Sequence, residues 1–164
     1  MAPRSSATRP TLSTTTLFRG NPASQGYCLT DQQQREVRFA VRFPTALCLP
    51  LVVAGLALGS PIVLFALAVV GAFAGFGPRH PFDYLWNHAV RHLVRQPQVP
   101  PNPRRRRHAF KIGTACLATV GVLFAVGLEV PALVLGSMLL IACTSATVLN
   151  FCVPSEALAR LERA

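Results

Sequence analysis

The sequence predicts an all-α membrane protein: a four-transmembrane-helix bundle of two in–out–in hairpins, with a cytoplasmic interfacial amphipathic helix between them. Three observations predict it. Four apolar runs, near residues 39–58, 62–76, 110–128 and 132–153, take up almost half the chain. Of the 164 residues, 51% are hydrophobic and 13% charged. An ordinary soluble domain carries about 25% charged residues, so too little polar sequence remains here to cover a water-soluble core. Third, all sixteen Lys and Arg lie outside two short turns. Arg4, Arg9, Arg19, Arg35, Arg38 and Arg42 precede or open the first run. Arg79, Arg91, Arg95, Arg104, Arg105, Arg106, Arg107 and Lys111 lie around the central loop, and Arg160 and Arg163 follow the fourth run. The turns at 59–61 and 129–131 carry none. Lys and Arg beside spans are retained on the cytoplasmic side, which predicts a multi-pass plasma-membrane protein with both termini and the central loop inside.

Residues 1–26 are rich in Ser, Thr, Pro and Ala without a period and read as a disordered arm. The first 36 residues hold no apolar signal-peptide core, so the first helix is expected to act as its own uncleaved anchor. The membrane domain covers 27–155, followed by a short cytoplasmic tail at 156–164. Thr30 and Gln33 fit a capping box that starts a helix at Asp31. It leads into a first span at about 39–58, where Pro44 and Pro50 remove backbone donors and predict a kink. The second span, about 61–77, is short. Its apolar part reaches about 23 Å of a bilayer core of about 30 Å, so it spans by thinning the bilayer or forms a re-entrant segment. Gly55 with Gly59, and Gly71 with Gly75, are Gly-x-x-x-Gly pairs that let helices approach closely, within a bundle or a homo-oligomer.

In the cytoplasmic loop, 78–109, an amphipathic helix is expected from Pro81 to Arg95. Phe82, Leu85, Trp86, Ala89 and Leu93 would face the membrane, with Asp83, Asn87, His88, Arg91 and Arg95 facing water. The stretch 97–103 reads as a stiff proline spacer, and the four arginines at 104–107 as a topology lock. The third and fourth spans follow at about 110–128 and 131–153.

A net charge of +10 would suggest nucleic acid on a soluble protein. Beside membrane segments, such charges orient helices and meet anionic headgroups at about 1 kcal/mol each. Membrane lipids, and not nucleic acid, are the partner this pattern predicts. Nothing ionisable falls at mid-membrane, which argues against a proton pump built on buried carboxylates. No phosphate-binding glycine loop or Ser–His–Asp pattern appears, and nothing calls for a cofactor.

Three groups of residues invite chemistry. His88 and His92 share a helix face and could ligate a metal only with a third ligand such as His80 or Asp83, so no metal is expected. Asp83, Asn87 and Arg91 stand at helical spacing, as a binding cluster or as a ladder of intrahelical contacts. Among the five cysteines, Cys48, Cys116 and Cys143 fall in apolar runs, where thiols behave as small hydrophobes. Cys28 and Cys152 fall near the cytoplasmic surface. Cys28 precedes a helix start, where the dipole and Arg35 favour thiolate and Asp31 opposes it, whereas a helix C-terminus disfavours thiolate at Cys152. Within disulfide range the two would act as attacking and resolving thiols; otherwise they are inert.

Several stretches together resemble a bacterial domain-of-unknown-function family of small integral membrane proteins. They are Tyr27-Cys28 before the helix start, Gly77-Pro78-Arg79-His80-Pro81-Phe82-Asp83 with Trp86-Asn87, Pro101-Asn102-Pro103 leading to Arg107, and Phe151-Cys152-Val153-Pro154-Ser155. The resemblance implies the fold and no mechanism. It directs attention to Cys28, to the segment from His80 through Asp83, Trp86 and Asn87, and to Cys152.

Two functions stand at this point. One is a non-enzymatic membrane component acting through its basic cytoplasmic face on lipid or a partner protein. The other is a thiol-redox or sulfur-handling membrane protein that uses Cys28 and Cys152 with a soluble thioredoxin-like or sulfurtransferase partner. A small-solute channel comes third, weakened by having only four helices.

Overall fold

The computed structural model describes residues 25–28, 30–148 and 157. Cys152 and most of the C-terminal tail lie outside the described residues, as does the arm up to residue 24. All regular structure among the described residues is helical.

Helix α1 (Asp31–Ala57) begins where the capping pattern places it. The Gln33 N–H donates to Thr30 Oγ1 at 3.4 Å and the Thr30 N–H to Gln33 Oε1 at 3.1 Å. The helix continues through both Pro44 and Pro50. A turn at Gly59, whose φ of +54° suits a residue without a Cβ, leads into α2 (Pro61–Phe76). Helix α5 (Arg104–Ala125) and α6 (Glu129–Val148) form the second hairpin. α1 packs on α2, α2 on α5, α5 on α6 and α6 on α1, which closes a ring of four.

The Gly71–Gly75 pair is the α2–α5 contact. A Cβ on Gly71 would sit 2.5 Å from Thr114 Oγ1, and one on Gly75 would sit 3.2 Å from the Lys111 backbone nitrogen. The other pair divides its work: Gly55 seats Leu64 of α2, while Gly59 makes the turn.

Residues Glu36–Ala57 of α1, α5 and α6 are each long and apolar enough to cross a membrane. α2, with 16 residues, extends about 24 Å. It qualifies as a fourth span only together with Pro81–Val94, which turns away from it by 77°. Large apolar side chains such as Ile62, Val69, Phe73, Met138 and Ile141 face outward, as lipid contact requires.

Between the hairpins runs a transverse helix built of α3 (Pro81–Leu85), a π turn (Trp86–Val90) and α4 (Arg91–Val94), ended by Arg95 in the left-handed region. Its faces differ from those the amphipathic pattern predicts. Asp83, Trp86 and Asn87 are buried, while Leu85 and Leu93 are exposed. Trp86 is no membrane-interface anchor: it is 0% exposed and packs on Phe39 and Phe43 of α1, at ring-centroid distances of 5.7 and 5.0 Å. The proline spacer is an extended strap folded back along this helix. Trp86 Nε1 donates to the Pro97 carbonyl, Asn87 Oδ1 accepts from the Val99 N–H at 2.9 Å, and Asn87 Nδ2 donates to the Val99 carbonyl. The strap gives the buried polar groups partners that no surface helix would offer them.

The interior divides in two. At the charged end, Tyr27, Val37, Ala40, Val41, Trp86 and Val99 form one cluster. Towards the turns, Val52, Leu56, Leu64, Leu67, Val120 and Ala132 form another.

Candidate functional site

The His-Pro-Phe-Asp stretch is a helix start. His80 is the N-cap of α3, Pro81 supplies a first residue that needs no donor, and Asp83 reaches back so that its Oδ2 accepts the His80 N–H at 2.9 Å. His80 Nδ1 accepts the Phe82 N–H at 3.1 Å. In a neutral ring this leaves the proton on Nε2.

Around this start the fold gathers a buried polar knot: His80, Asp83, Asn87, Asn102, Arg106 and Tyr27 are all at most 5% exposed. Arg106 stands at its centre. Its Nη1 donates to the Tyr27 hydroxyl, and its Nη2 donates at 2.8 Å to the carbonyl of Val41, in the turn of α1 that Pro44 interrupts. The guanidinium also lies over the rings of Tyr27 and Phe110, at 5.6 and 5.4 Å. Tyr27 in turn donates to Asn102 Oδ1 at 3.3 Å, and the Asn102 N–H donates to the Pro78 carbonyl at 2.7 Å. Four separated stretches of sequence, at Tyr27, Val41, 78–87 and 102–110, thus meet at one point.

Burial sets the electrostatics. It lowers His80 to about 4, with the Arg106 charge acting in the same direction, so the ring is neutral at physiological pH. Burial raises Asp83 above the ordinary carboxylate value, opposed first by Arg106, then by the His80 N–H and Arg79. It also raises Tyr27 against the opposing pull of Arg106. Asp83 Oδ1 and Asn102 Nδ2 are buried without a hydrogen-bond partner among the described residues. A neutral imidazole that donates from Nε2, beside a fixed cation, suits binding better than proton transfer.

The expected Asp83–Asn87–Arg91 ladder does not form. Asp83 is committed to the helix start and the Asn87 side chain to the strap, so Arg91 Nε takes the Asn87 backbone carbonyl, at 2.6 Å. His88 and His92 are exposed, with His88 Nδ1 at 2.9 Å from the Tyr84 carbonyl. Among the described residues no group of three or more His, Cys, Asp or Glu could hold a metal ion. Cys28 is exposed beside the buried Tyr27, and its expected partner, Cys152, lies outside the described residues.

The sequence reading missed Arg106 and Asn102. Arg106 is hidden in a run of four arginines that reads as a surface lock, and one helical position turns it inward while Arg104 stays exposed. The signal for Asn102 was its place in the Pro101-Asn102-Pro103 stretch that carries the family resemblance.

Beneath the knot, between the two apolar clusters, lies a cavity of about 320 Å³ lined by all four long helices. His80, Arg106, Arg42 and Gln25 contribute to its wall at the charged end, and Thr45, Cys48, Thr114, Cys116 and Cys143 lie deeper. Three cysteines that read separately as small apolar fillers therefore share one wall.

No curated protein and no solved structure matches this chain. Residues 38–163 match the family model described as Domain of unknown function (DUF4395), a match that takes in the His80–Asn87 segment and Arg106 while Tyr27 and Cys28 precede it. By that match over most of its length, the chain belongs to the DUF4395 family.

Proposed function

We propose that the protein is a non-enzymatic component of the plasma membrane whose basic cytoplasmic face engages anionic lipid. In this reading α1, α2, α5 and α6 all cross the bilayer, with both termini and the transverse helix inside. One observation carries it: hydrogen bonds of the knot hold the transverse helix and strap across one end of an apolar bundle. Arg38, Arg95 and Arg104 remain exposed at that end, while the turns at the other end carry neither Lys nor Arg. Each juxtamembrane cation contributes about 1 kcal/mol against an anionic surface, so several together discriminate strongly by charge.

The test is lipid enrichment around the purified protein in nanodiscs of mixed phosphatidylglycerol and phosphatidylcholine, read by mass spectrometry. The wild type is expected to enrich phosphatidylglycerol, and an Arg38→Gln, Arg95→Gln, Arg104→Gln triple variant to lose most of that enrichment. Equal lipid ratios for the two proteins would defeat the reading. Membrane-impermeant maleimide should reach Cys28 in inverted vesicles; labelling from the opposite face only would reverse the orientation.

The exposure of Cys28 favours a second reading, thiol chemistry with Cys152 and a soluble thioredoxin-like or sulfurtransferase partner. Mild oxidation should then join Cys28 to Cys152, as a disulfide-linked peptide in mass spectrometry. Two thiols that label independently and never join would dispose of it.

A further inference from the structure

The geometry points to the cavity beneath the knot as a binding site for an anionic amphiphile, with a carboxylate or phosphate head at the charged end and one hydrocarbon chain between the helices. Arg106 is 4% exposed, and among the described residues no carboxylate lies within ion-pair distance of it. Buried cations are ordinarily paired. Asp83 feels the Arg106 charge without pairing with it: its Oδ2 accepts the His80 N–H, and burial raises its pKa against the pull of Arg106.

Of the five guanidinium donors, two are used among the described residues, on Tyr27 and Val41. His80, 2% exposed, lines the same end of the cavity. Its Nδ1 is occupied, and Nε2–H makes no hydrogen bond among the described residues. Arg42 adds a second cation to the wall. The end thus presents positive charge and a free N–H donor to an occupant that carries negative charge and oxygen lone pairs. Such charge-assisted hydrogen bonds are about twice as strong as neutral ones.

Below that end the wall becomes apolar, through Val52, Leu67, Leu117, Leu135 and Leu139. A volume of about 320 Å³ falls at the lower limit of small-molecule pockets, about 300–1,000 Å³. One chain fits; a two-chain phospholipid would keep its second tail in the bilayer. None of Arg38, Arg95 and Arg104 lines the cavity, so it is separate from headgroup contact at those exposed arginines.

Native mass spectrometry of the full chain in a nonionic detergent tests the proposal with laurate as probe. Laurate is expected to form a one-to-one adduct at least tenfold tighter than dodecanol, which has the same chain and no charge. Arg42→Gln should weaken the adduct at least tenfold, and Ala142→Phe, which fills the cavity from α6 without touching the knot, should abolish it while thermal stability is retained. Retention of phosphatidylglycerol on transfer from nanodiscs, with laurate unable to displace it, would identify a bilayer lipid as the occupant. Displacement by laurate would identify a free single-chain acid. Equal binding of laurate and dodecanol, or full binding by a folded Ala142→Phe variant, overturns the proposal. Loss of lipid enrichment in the surface-arginine variant with laurate binding intact would leave this site standing on its own.

Discussion

Acid should unfold this protein through His80 before any other group in the knot. Burial holds the folded-state ring at about 4 against an ordinary 6.5. A depressed histidine contributes stability that is present above 6.5 and lost as pH falls, because the unfolded chain takes up the proton first. The gap is worth about 3 kcal/mol, at about 1.4 kcal/mol per pH unit, and almost all of it disappears between pH 6.5 and 4. Arg106 faces the ring and strengthens the effect. Asp83 works in the opposite direction: its raised value means the folded state gains stability as that carboxyl is protonated.

The comparison that isolates His80 is therefore a variant that leaves Asp83 in place. His80→Asn keeps an acceptor for the Phe82 N–H, and Asn is a good N-cap. Chemical denaturation in detergent at half-unit steps from pH 7 to pH 4 should show the wild type losing about 3 kcal/mol more than His80→Asn over that range. Parallel pH curves for the two proteins would refute the reasoning, as would an NMR titration of the His80 ring with a midpoint near 6.5.

Two further predictions concern packing. Trp86→Ala should cost about 3–5 kcal/mol, because the indole fills the space between α1 and the strap, and protease should then cut within the strap at 97–103. Gly75→Val should separate α2 from α5 and cost about 1–3 kcal/mol, whereas Gly113→Ala, which meets nothing within 4 Å, should be neutral or stabilising by up to about 1 kcal/mol. Equal melting temperatures for the Gly75 and Gly113 variants would remove the close-contact argument.

The sequence by itself determined the helical class, the start of α1 at the Thr30–Gln33 box, the two turns, and the absence of Lys and Arg from those turns. These are local or compositional facts: a capping box spans four residues, Thr30 to Gln33, and an apolar run cannot be covered by 13% charged sequence. It also picked out His80, Asp83, Trp86 and Asn87 as belonging together. What those four residues do was decided only by tertiary structure. Helical spacing predicts which side chains share a face and cannot say whether that face meets water, lipid or a returning strap. Here Val99 and Pro97 return to meet Asn87 and Trp86, so Asp83 and Asn87, read as facing water, are buried with Trp86, read as facing the membrane, while His88 and Arg95 stay exposed. Arg106 is the sharper case, since nothing in four consecutive arginines marks the one that turns inward. Its role comes from Tyr27, Val41 and Phe110, of which two are more than sixty residues away. The same is true of Cys48, Cys116 and Cys143, which share a cavity wall because α1, α5 and α6 close into a ring.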